Sequence, residues 1–512
     1  MTAAARLAAM AVGATLLGAL PAHAQKAQDT LRVAYTDPIA STIDYFDPKP
    51  ETTAVERSIF STLIVFDPAT KTFKPDLAQS WKRIDPTTLE FTLRKGVKWQ
   101  DGTPVTADDV VYTVNWLLDP KTKLRFGYVY TTRFTKAEKV NDDTVRIYEK
   151  SPVSDDLMII GGNLVILPKH LFEKYDNKAD FGRQHPVGTG PYKLMSISAS
   201  DGIVLKKWEG FDSPGPWRPA ASIGTVKILP IPDIQTEVAQ LMVGGLDLMH
   251  SVPRDQAKQI SSNPAYQMTV APGLNVFYLN FDAKGRAGQK ALTDVRVRKA
   301  IEMAIDRKAL AQNVAPPGAV VRDALCVPVM AGCHVDNAPP AFDPAAAKKL
   351  MAEAGYAEGF DVDLISQPGC EQMSEAIAGE LREIGVRARV EHLTFGGFAS
   401  RQRAGKIQLV IGQWDGAGRP DVASGVSYLW GGTPVDYAQD PQIVKLGAEG
   451  QSERDTAKRD AIYRKVFDLV NERAYLMPLT SFPSVFVHTK DVSVETDTVG
   501  ALSIDFFRLK WN

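Results

Sequence analysis

Residues 410–421 read VIGQWDGAGRPD: an apolar run ends in Trp414 and Asp415, and a glycine-rich break follows. An indole and a carboxylate side by side are a recognition pair, able to pack on a solute and hold a cation or donor. Other chemistry finds little support. There is no G-x-S-x-G for a hydrolase nucleophile and no H-E-x-x-H for a metalloprotease, and the seven His residues are scattered. Gly188-Thr189-Gly190 lacks the following Lys-Ser/Thr of a phosphate loop. Acidic doublets such as Asp108-Asp109 and Asp142-Asp143 fall at helix starts and turns, where carboxylates cap and solvate. None of these patterns supplies a catalytic constellation, so a secreted hydrolase is only a distant alternative. No cofactor or metal is expected.

Composition narrows the partners. In 512 residues, 59 Lys and Arg balance 60 Asp and Glu, which disfavours a nucleic-acid binder. The N-terminus carries Arg6, an apolar run from Leu7 to Leu20, and Ala22-His23-Ala24. That pattern reads as a signal peptide over 1–24, cleaved after Ala24, and its run is too short to span a bilayer. No Cys lies near the cut, so a lipid anchor is not expected. Export into an oxidising compartment makes a disulfide between Cys326 and Cys333 plausible, leaving Cys370 over.

The elements that must position Trp414 are legible. FDVDLIS (360–366), MSEAIAGELREIGV, RARVEHL and IQLVIGQW alternate strand, helix, strand, strand, which implies an α/β lobe. Trp414-Asp415 then sits just past a strand's C-terminal end, where open α/β sheets bind ligands. Asp343 and Pro344 start one helix and Gly355 stops it. Thr106 and Asp109 form a capping box ahead of Val110, Val111, Val114 and Leu117. LEFTLRKGVKW (89–99) reads as a hairpin turning at Lys95-Gly96. The basic residues of 296–307 read as a solvated helix face. NVFYLNF (275–281) and YLMPLTSF (475–482) are candidates for strands crossing between two lobes.

Four stretches in order resemble the family 5 extracellular solute-binding proteins, which serve dipeptide, oligopeptide and nickel ABC importers. They are PDLAQSW through LEFTLRKGVKWQDGTPVTADDVVYTV (75–114), PVGTGPYKL (186–194), LTDVRVRKAIEMAIDRKAL (292–310) and AKKLMAEAGYAEGF (347–360). The resemblance implies a two-lobe α/β fold with a ligand cleft between the lobes. Its implied division is lobe 1 over 29–274 with a subdomain at about 48–185, lobe 2 over 275–482, and a return to lobe 1 over 483–512. It also implies a monomeric periplasmic protein that captures a peptide or peptide-like solute and delivers it to a membrane permease. A non-peptide solute (oligosaccharide, metal chelate or opine-like conjugate) is the alternative.

In peptide-binding members, an Asp shortly after the matching Trp holds the ligand's ammonium group, and an Arg after the strand matching FDVDLIS often holds a dipeptide's carboxylate. Here the first position falls near Ala417 or Gly418, and past Ser366 the chain offers Gln367 and Glu371 but no Arg. Two readings of Trp414-Asp415 stay open: solute contact, or an indole in the lobe core with Asp415 starting the turn. Trp430 and Tyr428 are candidates for an aromatic wall. Asp37, Ser41, Asn275 and Tyr278 face the cleft if the family's fold holds. The DGTP block (101–104) reads as a turn and helix cap.

Overall fold

The computed structural model describes residues 26–36, 38–67, 70–124, 126–414, 419–495 and 504–512. The expected signal peptide lies outside them. Among the described residues, no helix is long and apolar enough to cross a membrane.

One ten-stranded sheet runs through the molecule. Its order is Val386–His392, Phe360–Ser366, Leu409–Trp414, Tyr266–Phe281, Leu476–Thr489, Leu248–His250, Thr30–Tyr35, Thr225–Pro230, Gly202–Lys207 and Tyr192–Ser198. The two central strands, of 16 and 14 residues, are longer than the segments picked out from sequence. They pair antiparallel from Tyr266↔Thr489 to Asn280↔Leu476. Their register shifts between Ala271 and Asn275, where Pro272-Gly273 lies opposite Phe482-Pro483. A proline gives no ladder N–H, and a Cβ on Gly273 would sit 2.5 Å from the Phe482 carbonyl oxygen.

The cores divide on either side of that irregularity. Two clusters are built from residues between Leu274 and Leu479, including Leu364, Ile377, Leu409, Ile411 and Val466. Two others draw on Leu31 to Ala271 and are completed by Val485, Phe486, Val487 and residues up to Leu509. A separate four-stranded antiparallel sheet (Ala78–Asp85, Thr88–Leu93, Thr144–Glu149, Phe134–Asn141) belongs to the first group.

Two sequence expectations change. The hairpin over 89–99 does not form: Thr88–Leu93 pairs with Ala78–Asp85 and Thr144–Glu149. The residues after Gly96 make only an isolated bridge, Lys98 to Pro104. The stretch 295–313 is two helices, Val295–Met303 and Arg307–Asn313, because Asp306 accepts from the Lys308 and Ala309 amides and starts a second one. Its basic face is not wholly solvated. Arg298 is buried and donates to the carbonyls of Leu292, Arg473 and Ala474 at 2.7–2.8 Å.

The sequence blocks behind the resemblance have structural work to do. Asp101 accepts from the Thr103 amide and hydroxyl and lies 2.7 Å from His170 Nε2. Asp109 accepts from the Thr106 and Lys169 amides, tying the helix start to a distant segment. Gly188 and Gly190 lie against the end of the helix Pro50–Ile59, and Gly190 N–H donates to the Ile59 carbonyl at 2.7 Å. A Cβ on Gly188 would run into that same carbonyl oxygen. Gly188→Ala is therefore expected to destabilise the fold by about 1–3 kcal/mol, read as a lower denaturation midpoint.

Glu302 supplies a pH signature. It is fully buried and both carboxylate oxygens lack partners among the described residues. Burial pushes its carboxyl from the ordinary 4.5 up to about 8, against the opposing pull of Arg307 and Arg298. In that window the folded chain keeps a proton that the unfolded chain has lost, so stability falls as pH rises. Glu302→Gln is expected to flatten this slope between about pH 5 and about pH 8, measured as denaturation midpoints across buffers.

Candidate functional site

The strand Leu409–Trp414 is buried from Leu409 to Gly412 and emerges at Gln413 and Trp414. It runs parallel to Phe360–Ser366 and pairs with the first crossing strand, Val276 opposite Trp414. Trp414 thus ends a parallel strand beside the crossing pair. Its ring stacks on Tyr428, with centroids 5.1 Å apart and planes 17° apart. Tyr428 comes from the helix Ala423–Trp430, and its hydroxyl donates to Gln402 Oε1 at 2.7 Å. Gly425 on that helix makes room for the indole: a Cβ there would lie 2.8 Å from Trp414 Nε1. Trp414 Nε1 and Gln402 Nε2 are both buried donors without an acceptor among the described residues.

The loop beyond the strand is braced from behind. Cys326 and Cys333 form a disulfide. Within that ring, Ala331 N–H donates to the Pro420 carbonyl and accepts from Val422 N–H through its own carbonyl. Asp421 accepts from the Ala423 amide and pairs with Arg459 at 2.6 Å, and the Arg459 guanidinium lies over the Tyr463 ring. Cys370 is free and buried.

Tyr128 lies close enough to add to the raised pKa of Tyr428, which burial chiefly sets. Tyr128 is 59% exposed and meets Phe126 edge to face. Nearby, the two lobes touch through polar groups. Arg454 pairs with Glu149 at 2.9 Å and donates to the Val153 carbonyl, and Ser154 bonds the Gln451 carbonyl through both its amide and its hydroxyl.

The other candidates are dispersed. Asp37 and Asp415 lie outside the described residues. Gln367 and Asn275 support the strand end: Gln367 Oε1 accepts from the Gln413 amide at 2.8 Å, and Asn275 Nδ2 reaches Gln413 Oε1 at 3.5 Å. Ser41 is fully buried, its hydroxyl accepts from Ile43 N–H, and Gly182 closes over it. Tyr278 is buried against Gly412. Trp430 is 2% exposed and packs edge-on against Phe467. Ser41, Tyr278 and Trp430 are therefore buried among packing neighbours in this arrangement. In Trp430's case the helical turn that places Tyr428 beside Trp414 sends the residue two positions on into the core. Sequence reasoning missed Tyr128, whose only signal was an aromatic cluster in YVYTTRF, and the lobe-to-lobe contacts, which have no local signal.

A continuous sheet shared by two groups of cores, with an aromatic strand end between them, defines a two-lobe solute-binding fold. The chain belongs to the bacterial extracellular solute-binding proteins, family 5, whose model matches residues 72–437. It is 27% identical over 471 residues to the glutathione-binding protein GsiB of Shigella dysenteriae, covering 88% of this chain and 89% of that protein. Among solved structures it resembles the periplasmic binding protein DppA of Helicobacter pylori in complex with the peptide STSA. That match has a TM-score of 0.77 and 22% identity, over 95% of this chain and 99% of the other. It also resembles NikA of Brucella suis in complex with Fe(III)-EDTA, with a TM-score of 0.82 and 22% identity over 94% and 100%.

If the stacked indole contacts solute, Trp414→Ala should weaken capture of a co-purifying solute by about 1–3 kcal/mol in calorimetry, with the denaturation midpoint little changed. Unchanged affinity would leave Trp414 a packing residue.

Proposed function

We propose that this chain is the periplasmic solute-capturing component of an ABC importer, delivering a peptide or peptide-like solute to a membrane permease. The observation that carries the peptide assignment is the match to a glutathione-binding protein over nearly nine-tenths of both chains. The site is compatible with it: a flat aromatic stack takes backbone or thioether surface, and unpaired donors suit peptide carbonyls. Trp414 and Tyr428 form one wall and Tyr128 the facing one; Gln367 and Asn275 hold the strand end that carries Trp414. Asp415 remains a candidate for the ligand's ammonium group.

The proposed mechanism is lobe closure. Lobe 1 comprises 29–274 and 483–512, with a subdomain at about 48–185, and lobe 2 comprises 275–482. The division falls at the irregular crossing, where Pro272-Gly273 and Pro483 interrupt the ladder and bending costs fewest hydrogen bonds. Solute touching both lobes stabilises only the closed arrangement, so it shifts the open–closed balance by its differential affinity. The Arg454–Glu149 pair and the Ser154 bonds exist only when the lobes meet.

Two measurements test this. Native mass spectrometry of protein taken from its own periplasm should show an added mass that disappears on denaturation and fits a peptide. A discrete non-peptide mass would replace the solute class while keeping the capture role. Arg454→Ala should enlarge the radius of gyration of the solute-free protein in X-ray scattering and weaken solute binding by up to about tenfold. An unchanged radius would remove the lobe contact from the closure mechanism.

A further inference from the structure

Besides the two crossing strands, side-chain and turn contacts join the lobes at the irregularity itself. Arg254 opens the helix Arg254–Ser261, whose Ala257 and Ile260 belong to the core of lobe 1. Its guanidinium reaches across to lobe 2. Nε donates to the Ala315 carbonyl at 2.7 Å, and Nη2 donates to the carbonyls of Ala311 and Pro316 at 2.8 and 3.3 Å. Ala311 lies in the last turn of the helix Arg307–Asn313, and Ala315 is buried in the lobe 2 core. The last carbonyls of a helix have no partner within it, and a guanidinium fork is suited to gathering them.

The sequence builds the accepting side. After the helix, Ala315-Pro316-Pro317-Gly318-Ala319 closes a turn: Ala319 N–H donates to the Pro316 carbonyl at 3.1 Å, and Gly318 takes a φ of +80°. Pro at the second position and a positive-φ Gly at the third are what a type II turn demands. Gly318 also seats the turn on both crossing strands, since a Cβ there would lie 2.8 Å from Val270 Cγ1 and 3.8 Å from Pro483 Cγ. Further on, Val320 N–H donates to Ser481 Oγ at 2.9 Å, and the Val320 carbonyl accepts from Ser481 N–H at 2.7 Å. Arg322 N–H donates to the Leu479 carbonyl at 3.0 Å. From lobe 1, Val252 N–H donates to the Val485 carbonyl at 3.2 Å. The second crossing strand is thus gripped by lobe 2 at Leu479 and Ser481 and by lobe 1 at Val485, with Pro483 between, and Arg254 ties the two grips directly.

We infer that Arg254 and the Pro316–Ala319 turn form the pivot of lobe closure: the guanidinium stays on lobe 2's carbonyls as the lobes part and confines opening to rotation about the crossing. This rests on the reading of solute capture by closure. The interrupted ladder makes the crossing bendable, but bending alone would also permit sliding and twisting. Three acceptors grouped at one helix end let a fork of five donors exchange partners through a rotation, whereas sliding would strip it of all three. Arg254 is a positioning residue: it acts through the placement of the lobes, deciding whether their two walls meet in register.

The test uses the full mature chain, unfolded and refolded without reductant to remove any carried solute. Val243→Cys on lobe 1 and Phe342→Cys on lobe 2, both exposed, carry spin labels attached after refolding, while Cys370 is buried and Cys326 and Cys333 are bonded to each other. Pulsed electron paramagnetic resonance then gives the distribution of distances between the lobes. Arg254→Ala should roughly double the width of that distribution while the protein keeps a cooperative denaturation transition. Arg254→Lys keeps the charge and loses the fork, so its width should fall between, which also guards against a folding defect in the Ala variant. Arg454→Ala, at the other lobe contact, should lengthen the mean distance without broadening it. If Arg254→Ala leaves the width unchanged while Arg454→Ala lengthens the mean, the pivot is overturned and closure stands. If Arg254→Ala lengthens the mean without broadening, the pivot is overturned in favour of a second closing contact. If wild type and all variants share one narrow distribution, the closure reading falls and the pivot with it.

Discussion

The antiparallel pairing of Tyr266–Phe281 with Leu476–Thr489 is the constraint on which the rest depends. Among the described residues, these two strands are the only ones of the sheet that reach both groups of cores. Backbone hydrogen bonds hold them together, so the lobes are covalently and cooperatively joined without sharing one hydrophobic core. At the crossing the ladder is interrupted by Pro272, Gly273 and Pro483. The aromatic stack at the end of Leu409–Trp414 is placed by the same pairing, because that strand's register is set against the first crossing strand.

Within the lobes some charges are paired and others are not: Arg298 is satisfied by three backbone oxygens, Arg459 by Asp421 and Arg133 by Asp155, while both carboxylate oxygens of the buried Glu302 lack partners among the described residues. At the strand end, Trp414 Nε1 and Gln402 Nε2 also lack acceptors among the described residues, and buried polar groups left this way are few in native structures. The contacts at Arg454 and Ser154 are polar, and such contacts gain less than apolar packing would.

Much of the second half was legible because its elements are locally determined. Asp343 and Pro344 start the helix Pro344–Glu353 as their chemistry requires, and Gly355 takes the positive φ of a stop. The strands 360–366, 386–392 and 409–414 follow their apolar runs. The first half misled at 89–99, where an alternating strand and a turn glycine imitate a hairpin. The partners of Thr88–Leu93 are instead Ala78–Asp85 and Thr144–Glu149, the second some fifty residues away. Asp306 hid a helix boundary inside a periodic pattern.

By itself the sequence determined the α/β class, the family and the position of Trp414 at a strand's C-terminal end. Each follows from local periodicity, capping and contiguous motifs. Only the tertiary structure decided which aromatic residues meet. Tyr428 and Trp430 are two positions apart on one helix, and facing direction alone sends one to the stack and the other to the core. Only it brought Tyr128 close enough to Tyr428, some three hundred residues on, to act on it electrostatically. Burial and pairing of charge are properties of what surrounds a residue in three dimensions, and a chain written in one dimension does not carry them.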